Sequence, residues 1–476
     1  MKKLLYAAIV LCGILLASKV IGATPNYLNC DSGSNANAGT QAAPWRTLQH
    51  ALDNVSASRT IKIAGTCNER VVLGSNITLE QADIRVPAII DGTNVGVYPG
   101  VFEIWGEHDI TFSGLTIKNG SNIPGNTVKG INVLSGKGPD NTWSTPDDVG
   151  AYNITLLNNT FVDINKSDLP AAYALPVLFS SWGDSRNGFG TATRNITIIG
   201  NRFLESDTNS DTLGQPLLEF VDNVKDWLVK DNYFTDSDSG SAIEISGNRS
   251  TSAIPNHPHD GQIIGNFFEY MGESGIYITA AKRILIQGNR FSSSTRGINV
   301  YSENQGLHGD FEYASDIWIR NNVFKNITIQ SLATGAIWSS EYCDVYNVEF
   351  TNNVVSNPNK PNGFESIGIY RDGAIDPGED TECLTVCGPY TNQCGELTGE
   401  SRIMNNYIYT NTVTSSNVQL LLSAISYVEQ TGVLHDNNIW VAPTVSRPFI
   451  LGGSYHTFTT YKEAIDREEF SSYQGF

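Results

Sequence analysis

Arg283-Ile-Leu-Ile-Gln-Gly-Asn-Arg-Phe291 sets a run of β-forming residues before a polar pair, an Asn and a large apolar side chain. The same pattern returns at Ile154–Phe161, Ile196–Phe203, Trp227–Phe234, Gln262–Phe268, Ile317–Phe324, Val348–Val355, Arg402–Ile408 and Val433–Trp440. Its Asn falls at 159, 201, 232, 266, 289, 322, 353, 406 and 438, mostly 23 to 42 residues apart. Short strands recurring at such intervals, with insertions between them, mark a solenoid. Period-two alternation makes each copy a strand rather than a helix. An Asn at one place in every copy can stack at a turn, its amide bonding the amides of the coils above and below.

This repeat resembles that of the right-handed parallel β-helix proteins of the pectate-lyase-like superfamily, over roughly residues 45–455. The resemblance implies an all-β solenoid. It implies little about activity, because the fold carries many chemistries.

The chain divides accordingly. Residues 1–23, with Lys2 and Lys3 ahead of an apolar run and a small-residue end at Ala23, read as a secretory signal, so a secreted or periplasmic protein is expected. Residues 24–60 form a lead-in loop and a capping helix in which Trp45, Leu48, Ala51 and Val55 share a face. The β-helix occupies 61–455, and a short helix over Tyr461–Glu469 lies within a C-terminal cap at 456–476. The net charge of −19 disfavours nucleic acid as a partner. No membrane span is expected once the signal is removed, and a monomer is. Past the signal stand Cys30, Cys67, Cys343, Cys383, Cys387 and Cys394, an even set suited to disulfides whose pairing the sequence leaves open.

A second short strand precedes most Asn strands, and its outward positions form two rows. One row reads Glu103, Asn132, Glu219, Glu244, Tyr277, Asn299, Trp338, Tyr370; its neighbour reads Trp105, Val221, Ser246, Thr279, Tyr301, Ser340, Asp372. Long insertions after several of these strands would wall the face into a cleft. Aromatic rings pack on sugar faces while carboxylates and amides bind hydroxyls, so a polysaccharide is the expected partner. Glu219 and Glu244 on successive coils would stand near the separation of a retaining glycosidase pair, and their repulsion would raise one pKa. Glu219, Glu244 and Asp372 are thus the candidate acids for hydrolysis. Tyr277, Asn299, Tyr301, Trp338, Tyr370 and Arg371 are the candidate substrate contacts.

Two other readings stand beside hydrolysis. Asn256-His-Pro-His-Asp260 is similar to the Asp-Pro-His motif of alginate C5-epimerases, also β-helix proteins. That likeness implies His259 as base and Lys282 or Arg283 as the cation neutralising a uronate carboxylate, in a lyase or epimerase. The chain departs from the motif at His257, where the family has Asp, and no Tyr precedes it. The calcium-binding aspartates of pectate lyases and the paired-Asp and Gly-His-Gly signatures of polygalacturonases are missing. The other reading is a non-catalytic surface or adhesive β-helix. No cofactor is required by any motif, although the acid-dense run Arg371–Glu382 offers oxygen ligands to calcium. The Asn-Ile-Thr triplets at 76, 153, 195 and 326 read as strand starts rather than glycosylation sites.

Overall fold

The computed structural model describes residues 24–55, 59–93, 100–119, 128–142, 145, 147–164, 174–181, 191–204, 216–237, 240–247, 257–279, 281–302, 314–329, 331–336, 344–357 and 365–370, with short segments beyond 401. Its strands form a parallel β-helix: a thirteen-stranded sheet makes one face, and a 26-stranded sheet bends at a turn to make the other two. A representative coil runs through Leu218–Val221, Val224–Lys230 and Tyr233–Ser237, and each strand pairs in parallel with its counterpart one coil on.

The turn between the second and third strands carries the expected Asn ladder. Asn159, Asn201, Asn232, Asn266, Asn289, Asn322 and Asn353 are buried, and in the first six each Nδ2 donates to the next Oδ1 at 3.0–3.1 Å. Each of these acceptor oxygens also takes the backbone N–H of the preceding ladder Asn, at 2.7–2.9 Å. The amide thus replaces the water that the turn's backbone would otherwise need. Beside the ladder, Phe161, Phe203, Phe234, Phe268, Phe291 and Phe324 stack with centroids 4.6–5.1 Å apart.

Beyond residue 401 the repeat is placed differently. Val354 pairs with Thr412, and Asn406 begins the strand Asn406–Tyr409, so Asn406 does not hold the turn position that follows Asn353. A reading from local pattern alone slips here because Asn-Asn occurs within the strand's own approach.

Trp227 shows how coils compensate one another. Its register partners Ile196 and Gly261 face the same core, and a Cβ at Gly261 would lie 2.0 Å from the Trp227 ring. One coil's indole fills the next coil's side-chain space. Gly261→Ile matches the Ile at register positions 196 and 284, but is expected to lower stability by about 1–3 kcal/mol or more through overpacking. A chemical denaturation midpoint unchanged from wild type would refute this packing account.

At the N-terminal end the helix is shorter than its apolar pattern, spanning Leu48–Asn54 with Thr47 as N-cap. Trp45 precedes the helix and bridges to Leu28, while Leu48 and Ala51 enter the core. Glu69 accepts hydrogen bonds from the backbone of Leu48 (2.6 Å) and Gln49 (3.0 Å), satisfying two free helix amides. Cys30 and Cys67 form a disulfide with their Cα atoms 5.1 Å apart, tying the lead-in strand to the first coil. Cys343, Cys383, Cys387 and Cys394 lie outside the described residues, as do the signal segment, the acid-dense run and the stretch 461–471. Near the C-terminus, Ser472–Gln474 adds a further strand against Ile439–Val441. Among the described residues no helix is long and apolar enough to cross a membrane.

Candidate active site

The thirteen-stranded sheet carries the acid row. Register runs Glu103, Asn132, Leu178, Glu219, Glu244, Tyr277, Asn299, Ala333, Gly368. Glu219 and Glu244 are therefore direct partners on neighbouring coils, which lie about 4.8 Å apart. Glu219, Glu244 and Tyr277 are half-buried and alternate with core residues along their strands.

The row departs from expectation at both ends. Asn299 holds its register place but is only 1% exposed, and its Nδ2 reaches the Ser274 Oγ at 3.4 Å. Glu103 and Asn132, also 1% exposed, belong to a covered network. Glu103 accepts from Gly100 N (2.8 Å), Trp105 Nε1 (3.0 Å) and Asn132 Nδ2 (2.8 Å), and Lys129 Nζ donates to Asn132 Oδ1 (3.1 Å). Leu178 separates this network from the acid pair.

Past Asn299, Ile298 pairs with Leu332, and the strand is Leu332–Ala336 rather than Ile337–Ser340. Trp338 lies outside the described residues. Tyr370 ends the strand Glu365–Tyr370 opposite Gly335, in the row of Thr279 and Tyr301, with Gly368 in the acid row. A slip of two residues keeps a side chain on its face but moves it one row across. Arg371 and Asp372 lie outside the described residues.

Burial, rather than repulsion between the paired acids, is the largest influence on Glu219: it raises the carboxyl to about 7, with the nearby Lys129 opposing and Asp222 adding. Burial likewise lowers Lys129, against the pull of Glu219 and Glu103. Glu273, at the start of the Tyr277 strand's approach, is also raised by burial, with Arg296 and a hydrogen bond from Ser241 opposing. One carboxyl of an adjacent pair thus holds its proton near neutrality.

The second expected constellation lies on another sheet. His259 opens the strand His259–Ile264, in register between Lys225 and Lys282, so His259 and Lys282 are neighbours but do not join the acid row. His259 Nδ1 lies 2.7 Å from Asp260 Oδ2 and 3.2 Å from Arg283 Nη2. Asp260 takes a fork from Arg283, with Nε–Oδ1 at 2.6 Å and Nη2–Oδ2 at 2.8 Å; that fork, then His259, holds the Asp260 carboxyl far below the usual range. The His–Asp contact recurs at His108 and Asp109, again 2.7 Å. Asp109 and Asp260 are both left-handed, at φ 56° and 57°, so this local geometry brings a preceding His ring nitrogen onto the carboxylate at two places in the solenoid.

That left-handed position is itself a row: Asp109, Asn153, Asn195, Asp226, Asp260, Arg283 and Asp316 all have φ between 54° and 57°. Asn and Asp tolerate this conformation through their short polar side chains. The Asn of the Ile-Thr triplets at 153 and 195 falls in this row, and Asn76 is also left-handed at φ 60°, in keeping with strand starts. The row escaped the sequence reading although its signal is plain: an Asp or Asn precedes the apolar run in most copies of the repeat.

A family model described as "Right handed beta helix region" matches residues 187–376. The chain is 25% identical over 330 residues to plasmin and fibronectin-binding protein A of Streptococcus pneumoniae, covering 64% of this chain and 44% of that protein. It thus spans less than half the length of that relative. Among solved structures it is similar to PfbA, a surface adhesin of Streptococcus pneumoniae, with a TM-score of 0.52 and 15% identity over 86% of this chain and 90% of that one. It is also similar to the catalytic domain of a GH87 α-1,3-glucanase in complex with nigerose, with a TM-score of 0.51 and 10% identity over 90% of this chain and 66% of that one. At these identities the likeness bears on the fold. Stacked parallel coils, the continuous Asn ladder and the matching family model together make this chain a right-handed parallel β-helix protein.

Proposed function

We propose that the outer face of the thirteen-stranded sheet cleaves a glycosidic bond, with Glu219 as general acid and Glu244 as nucleophile. The observation that carries this reading is the register pairing of the two carboxylates on adjacent coils, with Glu219 kept protonated near neutrality by burial. A spacing of about 5 Å suits retention of configuration, in which one carboxylate attacks the anomeric carbon while its partner protonates the leaving oxygen. Tyr277, next in the row, supplies a ring for the adjoining sugar. The chemistry needs no metal. The test is incubation of the chain with neutral, uronate and sulfated polysaccharides, reading new reducing ends beside the ultraviolet absorbance of unsaturated uronates. Reducing ends without absorbance support hydrolysis. Both signals together would move the chemistry to a lyase, and the His259–Lys282 neighbourhood would become its place.

The acid role fixes a pH dependence. kcat/KM is expected to fall as pH rises through about 7, when Glu219 loses its proton. An alkaline limb elsewhere, surviving Glu219→Gln, would remove Glu219 from the role. The same group links pH to stability. Its folded-state value of about 7 exceeds the ordinary 4.5, so the folded chain holds a proton that the unfolded chain has lost, and stability declines as pH rises between those values. Denaturation at pH 5 and pH 8 should differ by on the order of 1–3 kcal/mol more in wild type than in Glu219→Gln.

A second reading, a binding protein, is favoured by the curated relative, whose name gives plasmin and fibronectin as its partners. It predicts that immobilised fibronectin or plasmin captures the chain and that capture survives replacement of both acids.

A further inference from the structure

We infer that the 26-stranded sheet carries a second groove, separate from the acid pair, that binds an uncharged oligosaccharide. An open groove of about 1130 Å³ crosses the outer face of this sheet. Its floor is one register row, Thr155, Thr197, Leu228, Gln262, Leu285 and Trp318, half-buried or exposed and aligned coil upon coil. One edge is the left-handed row, and Arg283 is its exception.

Three features point to a sugar. The floor combines hydroxyl and amide groups with apolar ones and ends on the indole of Trp318, the arrangement that packs a pyranose face while bonding its hydroxyls. The cations at the groove are matched within the protein, Arg283 by its fork onto Asp260 and Arg320 by Glu349, whose Oε1 lies 3.0 Å from Nε, while Asp226 adds an acid to the lining. A ligand here finds oriented polar groups but no surplus cation, which favours a neutral chain over a uronate or sulfated one. Arg283 also stands at φ 56°, a conformation disfavoured for a long side chain and given to Asn or Asp at the six other aligned positions. The fork uses Nε and Nη2, and among the described residues Nη1 has no partner, so the guanidinium offers the groove a donor held in place by Asp260. Beneath the floor, the buried Trp227 Nε1 also lacks a hydrogen-bond partner among the described residues, and Trp227 itself lines the groove.

The groove stands on a different sheet from Glu219 and Glu244, so it does not depend on the hydrolase reading. It would hold a polymer beside the cleavage face or serve as a capture site. The experiment is titration calorimetry of the full chain bearing Glu244→Gln with six-residue oligomers of glucose, galactose, mannose, N-acetylglucosamine and hexuronate. A neutral oligomer should bind, and Trp318→Ala should weaken it by about tenfold. Arg283→Asn, which places at this position the residue already found at 153 and 195, should keep the fold and weaken binding severalfold. Tyr277→Ala, on the acid face, should leave the Trp318-dependent part of this binding unchanged. The inference is overturned if no oligomer binds, if only the hexuronate binds, if neither Trp318→Ala nor Arg283→Asn has an effect, or if Trp318→Ala changes only the capture of fibronectin or plasmin.

Discussion

If the proposed hydrolysis holds, Glu244→Gln is expected to lower kcat/KM on the cleaved polymer by about 10³-fold or more, because Glu244 is the carboxylate that would form the covalent glycosyl intermediate. Glu219→Gln should cost about 10²–10⁴-fold, the range of a lost general acid. The two defects differ in kind. An activated aryl glycoside has a leaving group that needs no proton, so it should recover much of the rate in Glu219→Gln and none in Glu244→Gln. The pairing of these residues across one strand spacing gives the prediction its force: among the described residues, Asp222 is the other acid acting on Glu219, and it is buried with Oδ2 bound by Ser180 Oγ at 2.8 Å. Equal loss in both variants with no rescue would leave the acid row as a binding surface. Full activity in either would end the hydrolytic assignment.

The largest expected effect on stability lies in the ladder. Asn266 donates through its backbone N to Asn289 Oδ1 (2.8 Å) and through Nδ2 to Val229 O (2.9 Å) and Asn289 Oδ1 (3.1 Å). Its own Oδ1 accepts from Asn232 N (2.9 Å) and Nδ2 (3.0 Å). Asn266→Ala removes the side chain from a site 1% exposed and takes this partner from the Asn232 backbone N–H and the Val229 carbonyl, while Asn232 Nδ2 keeps Ile198 O (2.9 Å) and Lys230 O (3.0 Å). Each buried orphan costs about 1–3 kcal/mol, so a loss on the order of 3–5 kcal/mol is expected once water enters part of the gap. Asn266→Asp keeps the acceptor and removes the donor, and should fall between wild type and Ala near neutral pH only if the carboxylate finds its two donors from Asn232. Denaturant unfolding of the three chains checks this. Equal stability for Asn266→Ala and wild type would show that the ladder organises the turn without holding it. Because the coils stack in one dimension, the same change at Asn159, with fewer described coils on its N-terminal side, should disturb a smaller part of the chain.

The fold was legible because it is written many times over. Each coil repeats a strand of alternating apolar residues and an Asn, and the seven-membered ladder from Asn159 to Asn353 has the spacing that the sequence displays. The pairing of Glu219 with Glu244 was legible for the same reason: two short strands, Leu218–Val221 and Ile243–Ser246, hold their acids at equal distance from equivalent core residues.

Four matters were decided only by the tertiary structure. Register past Asn299 depends on where a connection ends, and Leu332–Ala336 and Ile337–Ser340 alternate equally well; the pairing of Ile298 with Leu332 selects the first. The same ambiguity moved Tyr370 one row across and took Asn406 out of the ladder position. Exposure is a property of what covers a side chain, so Glu103, Asn132 and Asn299 obey the outward alternation yet lie buried. The raised carboxyl of Glu219 comes first from desolvation, a property of what surrounds it, and the charge opposing that shift is Lys129, well before it in sequence. And the left-handed row, with Arg283 among aspartates and asparagines, becomes a groove edge only when the coils stack. Local pattern in this chain fixes which residues enter strands and which faces they take, because a strand's alternation is set by its own backbone. Which side chains meet is set by the lengths of the connections between coils, and those lengths act only once the coils are closed and in contact.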